Sequence, residues 1–331
     1  MIKVGVIGFG KLGKIHSETI FNSKTGSLIA VCDPDVNARK EAEYKYAVNT
    51  FDNFDSFLRS DIDAVVIASS TPLHLMHVLG SAKAGKAIFT EKPIGLTLEE
   101  SDKVLKVVAN SGVIFQIGFQ RRWHPDYVKM KRVVGSGELG KPLLFKAFGR
   151  DPNASNPANW GLDKNGGLFL NAAIHDFDAA RFILSSDVIS VTAAGEAVVY
   201  KELSEVGDID TCTTTLKMTN GTVAITEWSR YATYGYDFGA ELVCERGKIE
   251  ISQDKLRGFS LVKENPKAPS VYEIFKLAYR EEVLAFLKAI MNNEPASPSV
   301  EDARIGLQIA LAARESFERN TKVSIKKLPK L

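Results

Sequence analysis

The residues of this 331-residue chain that point most clearly to chemistry stand near its start. Gly8-Phe9-Gly10-Lys11-Leu12-Gly13 is a G-x-G-x-x-G that follows an apolar run and opens a helical pattern, the setting in which such a motif binds a dinucleotide. Gly8 permits a tight turn, Gly10 lets backbone approach a pyrophosphate, and Gly13 lets helix and strand pack closely. The N–H groups at the helix start, with the helix dipole, favour an anionic group. Alone, the motif also fits an ordinary glycine turn. Asp33 adds to it. It closes the second strand-like run, twenty residues after Gly13, where an acidic side chain can accept hydrogen bonds from adenosine ribose hydroxyls. Asp33 would repel a 2′-phosphate, and no arginine follows it until Arg39, so NAD is expected over NADP. The other reading of Asp33 is a helix N-cap ahead of Pro34.

A second group is Glu91-Lys92-Pro93, directly after the run Ala87–Thr90. Ligands of open α/β sheets sit beyond the C-terminal ends of the strands, and a lysine there could polarise a substrate oxygen. As three residues alone, it could equally be a charge pair beside a turn proline. A third is His175, four residues after Asn171 in a helical stretch, so that both would share one side. Histidine titrates near neutrality and suits removal of a hydroxyl proton. His74 and His77 are spaced i, i+3 but lack a third ligand nearby, so no metal is expected.

The elements that must position these residues can be read from periodicity. Short apolar runs (Lys3–Gly8, Leu28–Cys32, Ala64–Ala68, Ala87–Thr90, Val113–Gly118) alternate with helical stretches (Leu12–Phe21, Val36–Tyr46, Pro72–Ala84, Leu98–Asn110). That order predicts a parallel sheet covered on both faces. After about residue 120 it stops. Val188–Val199 and Thr211–Trp228 are rich in Thr and Val, and Asn220-Gly221 between alternating runs signals a hairpin. A further pair flanks Arg246-Gly247, and helical stretches cover Gly167–Leu184, Tyr272–Asn292 and Val300–Asn320. The expected fold is an α/β Rossmann domain (1–120) followed by an α+β domain with an open, mainly antiparallel sheet (121–331). The last helix could pack back on the first domain.

Composition sets the class. Hydrophobic residues make up 45% and charged residues 25%, with a net charge of +2 and dispersed basic residues, a balance for a globular protein with no nucleic-acid stripe. No apolar run is long enough to span a membrane, and a chain that opens on a strand is read as having no signal peptide. Cys32, Cys212 and Cys244 are scattered in strand-like runs. They read as buried thiols in a reducing cytoplasm.

Taken in order, the G-x-G-x-x-G with His16, Ser69-Ser70-Thr71-Pro72 with His74, Glu91-Lys92-Pro93 and Gly118-Phe119-Gln120-Arg121-Arg122 closely resemble the glucose–fructose oxidoreductase and inositol 2-dehydrogenase family. Arg150-Asp151-Pro152 and the segment Gly166-Gly167-Leu168-Phe169-Leu170-Asn171-Ala172-Ala173-Ile174-His175-Asp176-Phe177-Asp178 resemble the inositol dehydrogenase branch. The resemblance covers nearly the whole chain. It implies NAD as cofactor, homo-oligomers (dimer or tetramer) packed through the open sheet, and a substrate flanked by Lys92 and His175, with His175 as base and Lys92 stabilising alkoxide charge. Cofactor contacts are expected from Gly8, Phe9, Gly10, Lys11, Leu12, Gly13, Asp33, Ser69, Thr71, His74, Glu91, Lys92 and Gln120. Substrate contacts are expected from Arg122, Asp151, Asn153, Trp160, Asn171 and His175. For Arg122 a salt bridge is the alternative, for Asp151 and Asn153 a polar loop, and for Trp160 packing. Asn171 departs from the pattern, since the family places an aspartate there to pair with the histidine; Asp151, Asp176 or Asp178 could stand in. The expected activity is NAD-dependent oxidation of a secondary alcohol on a cyclic polyol, an inositol first. A sugar or deoxysugar dehydrogenase and a non-catalytic NAD-binding sensor are the alternatives, and a scaffold would leave Asp33 and Lys92 unexplained.

Overall fold

The computed structural model describes residues 1–152, 161–252, 262, 263, 265 and 267–326. They form two compact units, one of residues 1–120 with 276–307, the other of residues 121–275 with the chain from 308 onward.

In the first unit, strands β1 (Ile2–Ile7), β2 (Gly26–Cys32), β3 (Asn49–Phe51), β4 (Ala64–Ile67), β5 (Ala87–Glu91) and β6 (Phe115–Gly118) make a six-stranded sheet in the order β3-β2-β1-β4-β5-β6. Every neighbouring pair is parallel. The order runs outward in both directions from β1 and β4, and the crevice at such a reversal is where this architecture binds ligands. All four residues of β4 are buried, as its unbroken apolar run requires. Local chemistry sets the helix ends. Asp35 accepts from the Asn37 N–H at the start of Val36–Tyr46. Thr97 and Glu100 form a capping box on Leu98–Ser111, which ends on Gly112 in the left-handed conformation. Helix Lys276–Asn292 belongs to this unit, and its Val283, Phe286 and Leu287 join Val4, Val6, Phe9 and Phe89 in one buried cluster.

The structure differs from the periodicity in places. β3 and the helix Phe54–Leu58 carry no repeat long enough to read; β3 forms because Asn49, Thr50 and Phe51 pair with Ala30, Val31 and Cys32. The stretch from Pro72 opens with a 3₁₀ turn, Thr71–Leu73, before the helix His74–Lys83.

In the second unit, β7 (Pro142–Arg150), β8 (Val188–Glu196), β9 (Thr211–Met218), β10 (Val223–Ser229), β11 (Asp237–Cys244), β12 (Gly247–Ser252) and β13 (Val323–Ser324) form a seven-stranded sheet in the order β12-β11-β7-β10-β9-β8-β13. It is antiparallel except at β7–β10. Both hairpins expected at Asn220-Gly221 and Arg246-Gly247 are present. The first turns on Gly221 at φ 89°, with Asn220 Oδ1 accepting from the Thr222 N–H. Along β9, Cys212, Thr214, Leu216 and Met218 are buried and Thr213, Thr215 and Lys217 exposed, the alternation of a sheet with one open face. The three cysteines are buried free thiols, and burial pushes the Cys32 thiol up to about 11 and that of Cys212 up to about 12. Among the described residues no helix is long and apolar enough to cross a membrane.

Charges are buried at the centre of the second unit. Asp176 is fully buried and accepts from Arg121 and, at 2.5 Å, from Trp228 Nε1. Arg121 also donates to the Tyr127 hydroxyl, 2.8 Å away. Burial pushes the Asp176 carboxyl up to about 6 against the pull of Arg121 and the indole N–H. Removing one member of a buried pair strands its partner, at a cost of about 3–5 kcal/mol. Asp176→Ala is therefore expected to lower stability by about that amount in urea unfolding. A loss below about 1 kcal/mol, the range of an exposed pair, would contradict this reading.

Candidate active site

The glycine turn is built by exclusion. Gly8 has φ +86°, and a Cβ there would come within 2.6 Å of the Ala68 carbonyl oxygen. At Gly13 a Cβ would lie 1.9 Å from the Gly8 carbonyl oxygen, so the helix Lys11–Phe21 can start against the end of β1 only without a side chain. Gly10, by contrast, faces open space within 4 Å. No side chain caps this helix and no acidic residue occupies its first turn, so its dipole and first N–H groups are left for an external anion. Phe9 is buried, Leu12 is half-buried and Lys11 is exposed.

Asp33 stands at the end of β2. Its Oδ2 accepts from the Phe9 N–H at 2.7 Å and its Oδ1 from the Asp35 N–H at 2.8 Å. The N-cap of the following helix is Asp35, so the N-cap reading of Asp33 does not hold. Asp33 instead ties the glycine turn to β2, and each oxygen keeps a lone pair for a ribose hydroxyl. Arg39 Nη1 donates to the carbonyls of Asp33 and Pro34, at 2.7 and 2.9 Å. The cleft over this turn has a volume of about 610 Å³ and is lined by Gly8, Gly10, Asp33, Ser69 and Ser70, and by Asp52, Phe54 and His77. The glycine turn, the uncapped helix start and the doubly held carboxylate fit a dinucleotide. Asp52 and Phe54 carry no motif and were missed by sequence reasoning; only their place after the short strand β3 brings them in.

The Glu91-Lys92-Pro93 segment leaves β5 through a cis Lys92–Pro93 bond. His74 Nδ1 lies 2.8 Å from the Pro93 carbonyl oxygen and Nε2 2.9 Å from that of Ser69. The ring thus spans the loops after β4 and β5. Two carbonyls favour the imidazolium, but burial outweighs them and His74 is pushed below its usual value. Ser69 Oγ lies 2.9 Å from His77 Nδ1, and burial pushes His77 down to about 4. The Glu91 carboxylate is buried and 2.7 Å from His16 Nε2. Lys92 and Thr71 are half-buried and Gln120 is buried.

In the second unit, Asn171 lies in a π-helical segment, Phe169–Ala173, that runs into the α-helix Ile174–Leu184 carrying the buried His175. Such segments recur at functional sites, and nothing in the periodicity announces this one. Two of the three carboxylates considered as stand-ins at Asn171 are engaged: Asp176 with Arg121 and Trp228, and Asp178 with Arg122 Nε at 2.8 Å and Nη2 at 2.6 Å. Arg122 therefore makes the salt bridge that was its alternative reading. The backbone of Asp151 donates to the Ser229 carbonyl and accepts from Ala232, at 2.8 and 3.0 Å. Asn153 and Trp160 lie outside the described residues.

Residues 2–119 match the family described as "Oxidoreductase family, NAD-binding Rossmann fold", and residues 127–250 the "GFO/IDH/MocA C-terminal domain". The chain belongs to the GFO/IDH/MocA oxidoreductase family. It is accordingly an NAD-dependent oxidoreductase. Over 99% of both chains it is 33% identical to the myo-inositol 2-dehydrogenase of Thermotoga maritima. It is 31% identical over 98% of its length and 96% of the relative to the scyllo-inositol 2-dehydrogenase (NAD(+)) of Bacillus subtilis. The solved scyllo-inositol dehydrogenase of Lactobacillus casei with bound NAD(H) and scyllo-inositol matches it with a TM-score of 0.88 and 31% identity, covering 98% of this chain and 99% of that one.

Asp33→Ala is expected to weaken NAD binding about 10-fold, as one to two charge-assisted hydrogen bonds would give, when NADH fluorescence is titrated. Gly13→Ala should abolish binding. Unchanged affinity in both would show that the cofactor does not use this turn.

Proposed function

We propose that this oxidoreductase acts on a ring hydroxyl of a cyclic polyol, an inositol, converting a secondary alcohol to a ketone. The observation that carries this is the full-length likeness to the Lactobacillus casei enzyme, whose structure holds NAD(H) with scyllo-inositol, in a chain that keeps Lys92 and His175.

The reaction removes a hydride and a proton from one CH–OH group. Bound NAD supplies C4 of its nicotinamide as the hydride acceptor. His175 takes the hydroxyl proton, as a general base. Lys92 donates a hydrogen bond to the oxygen while alkoxide charge develops, which lowers the barrier where charge appears. Asn171 orients the imidazole without adding charge to stabilise its protonated form, a role that a carboxylate fills strongly in His-based triads. Asp151 contributes to holding the polyol, and the open face of the seven-stranded sheet to self-association.

Purified protein with NAD and a panel of inositols, sugars and deoxysugars is expected to form NADH with at least one inositol. Turnover confined to a sugar would move the assignment to a sugar dehydrogenase, and none at all, with NAD still bound, to a sensor. Asn171 is what favours that second reading, so Asn171→Asp separates the two. An enzyme tuned to asparagine changes in rate or pH optimum, whereas a silenced one gains activity from near zero. His175→Asn should lower kcat about 10²- to 10⁴-fold, the usual contribution of a general base, and a loss under threefold would remove His175 from that role.

A further inference from the structure

The interior of the first unit holds ionisable groups that the glycine turn does not use. Glu282, on the helix Lys276–Asn292, is fully buried. One of its carboxylate oxygens, the imidazole of His16 and the carboxylate of Glu91 bring ligand atoms within 4.8 Å of one another. His16 Nε2 is 2.7 Å from Glu91 Oε1. Neither carboxylate oxygen of Glu282 has a hydrogen-bond partner. The polar groups around it are Glu91 from β5, His16 from the helix after β1, and Gln116 from β6, whose Nε2 donates to the Glu282 backbone carbonyl at 2.8 Å. Tyr279 of its own helix lies against His16, with ring centroids 6.2 Å apart, and Phe89 and Phe286 supply apolar surface nearby.

Two carboxylates that share a buried site cannot both ionise cheaply. Glu91 has a donor in His16 to support its charge; Glu282 has none. We infer that Glu282 is kept as a neutral carboxylic acid in the folded protein, and that this neutrality leaves Glu91, held by His16, and through it Lys92, undisturbed. Burial and the charge of Glu91 push Glu282 well above the ordinary carboxylate range, in agreement with this. Ionised, Glu282 would repel Glu91, the residue peptide-bonded to Lys92. Glu282 is thus a positioning residue, and its effect on activity rests on the reading of Lys92 given above; its protonation does not.

The sign of the pH effect follows from linkage. Unfolded, Glu282 loses its proton in the usual carboxylate range; folded, it keeps it. The folded state therefore binds one proton more above that range, and stability falls as pH rises, by up to about 10-fold in the folding equilibrium per pH unit. Three measurements on the full chain test this. Urea unfolding between pH 5 and 8 should show a steeper loss with pH for wild type than for Glu282→Gln. Infrared spectra of wild type at pH 8, where Asp176 has ionised, should keep a protonated-carboxyl C=O band. The ratio of variant to wild-type NADH formation should stay flat while that band persists and rise only at the pH where it is lost. Parallel pH slopes, or a wild-type spectrum without the band, would overturn the inference whether or not the variant folds. So would one equivalent of divalent metal, measured by elemental analysis and lost in Glu282→Gln, since the three groups would then hold a cation. If the stability and infrared signatures appear but wild type oxidises no polyol, the proposed function fails and the protonated Glu282 stands.

Discussion

A helix start pressed against a strand end governs the rest of the first unit. The Gly8 carbonyl oxygen stands 1.9 Å from where a Cβ of Gly13 would be, so β1 and the helix Lys11–Phe21 meet only because Gly13 carries no side chain, while a Cβ at Gly8 would strike Ala68 at the end of β4. The helix start, with no side-chain cap, lies at the point where the strand order reverses. Asp33 then fixes the turn from the side through the Phe9 N–H. The site is backbone brought together by missing side chains beside a carboxylate, which suits a dinucleotide with a charged centre and a hydroxylated flank.

The second unit solves a different problem. Its sheet has one covered face and one open face, and the segment that covers it brings charges inside. Three buried carboxylates are paired with cations, Asp176 with Arg121 (and the Trp228 indole), Asp178 with Arg122, and Asp208 with Arg230 at 2.7 Å, and Asp210 accepts from the backbone N–H groups of residues 198, 199 and 200. Pairing of this kind adds little net stability over an apolar core, but it penalises any arrangement that separates the partners. It holds the helix that carries His175 in one register, next to the π-helical segment that contains Asn171.

What could be read from the sequence was local. The glycine turn, Asp33, the apolar run of β4 and the Asn220-Gly221 hairpin each follow from chemistry within a few residues, and the structure contains them. What could not be read depends on partners far along the chain. β3 is three residues long and exists through its pairing with β2. β7 lies between the β11 and β10 neighbours that define it. Asp52, Phe54 and His77 line the cleft without any motif. The bidentate pairing of Arg122 with Asp178 joins residues 56 apart in sequence, and spacing alone left it level with a ligand role.

The proposed chemistry requires a hydride to pass directly from a polyol carbon to NAD. The most direct measurement uses an inositol deuterated at every ring carbon and mass analysis of the NADH formed in a single turnover. The deuterium should appear at C4 of the nicotinamide, one atom per turnover. Reduced cofactor without deuterium, or an inositol returned unoxidised from protein saturated with NAD, would contradict it.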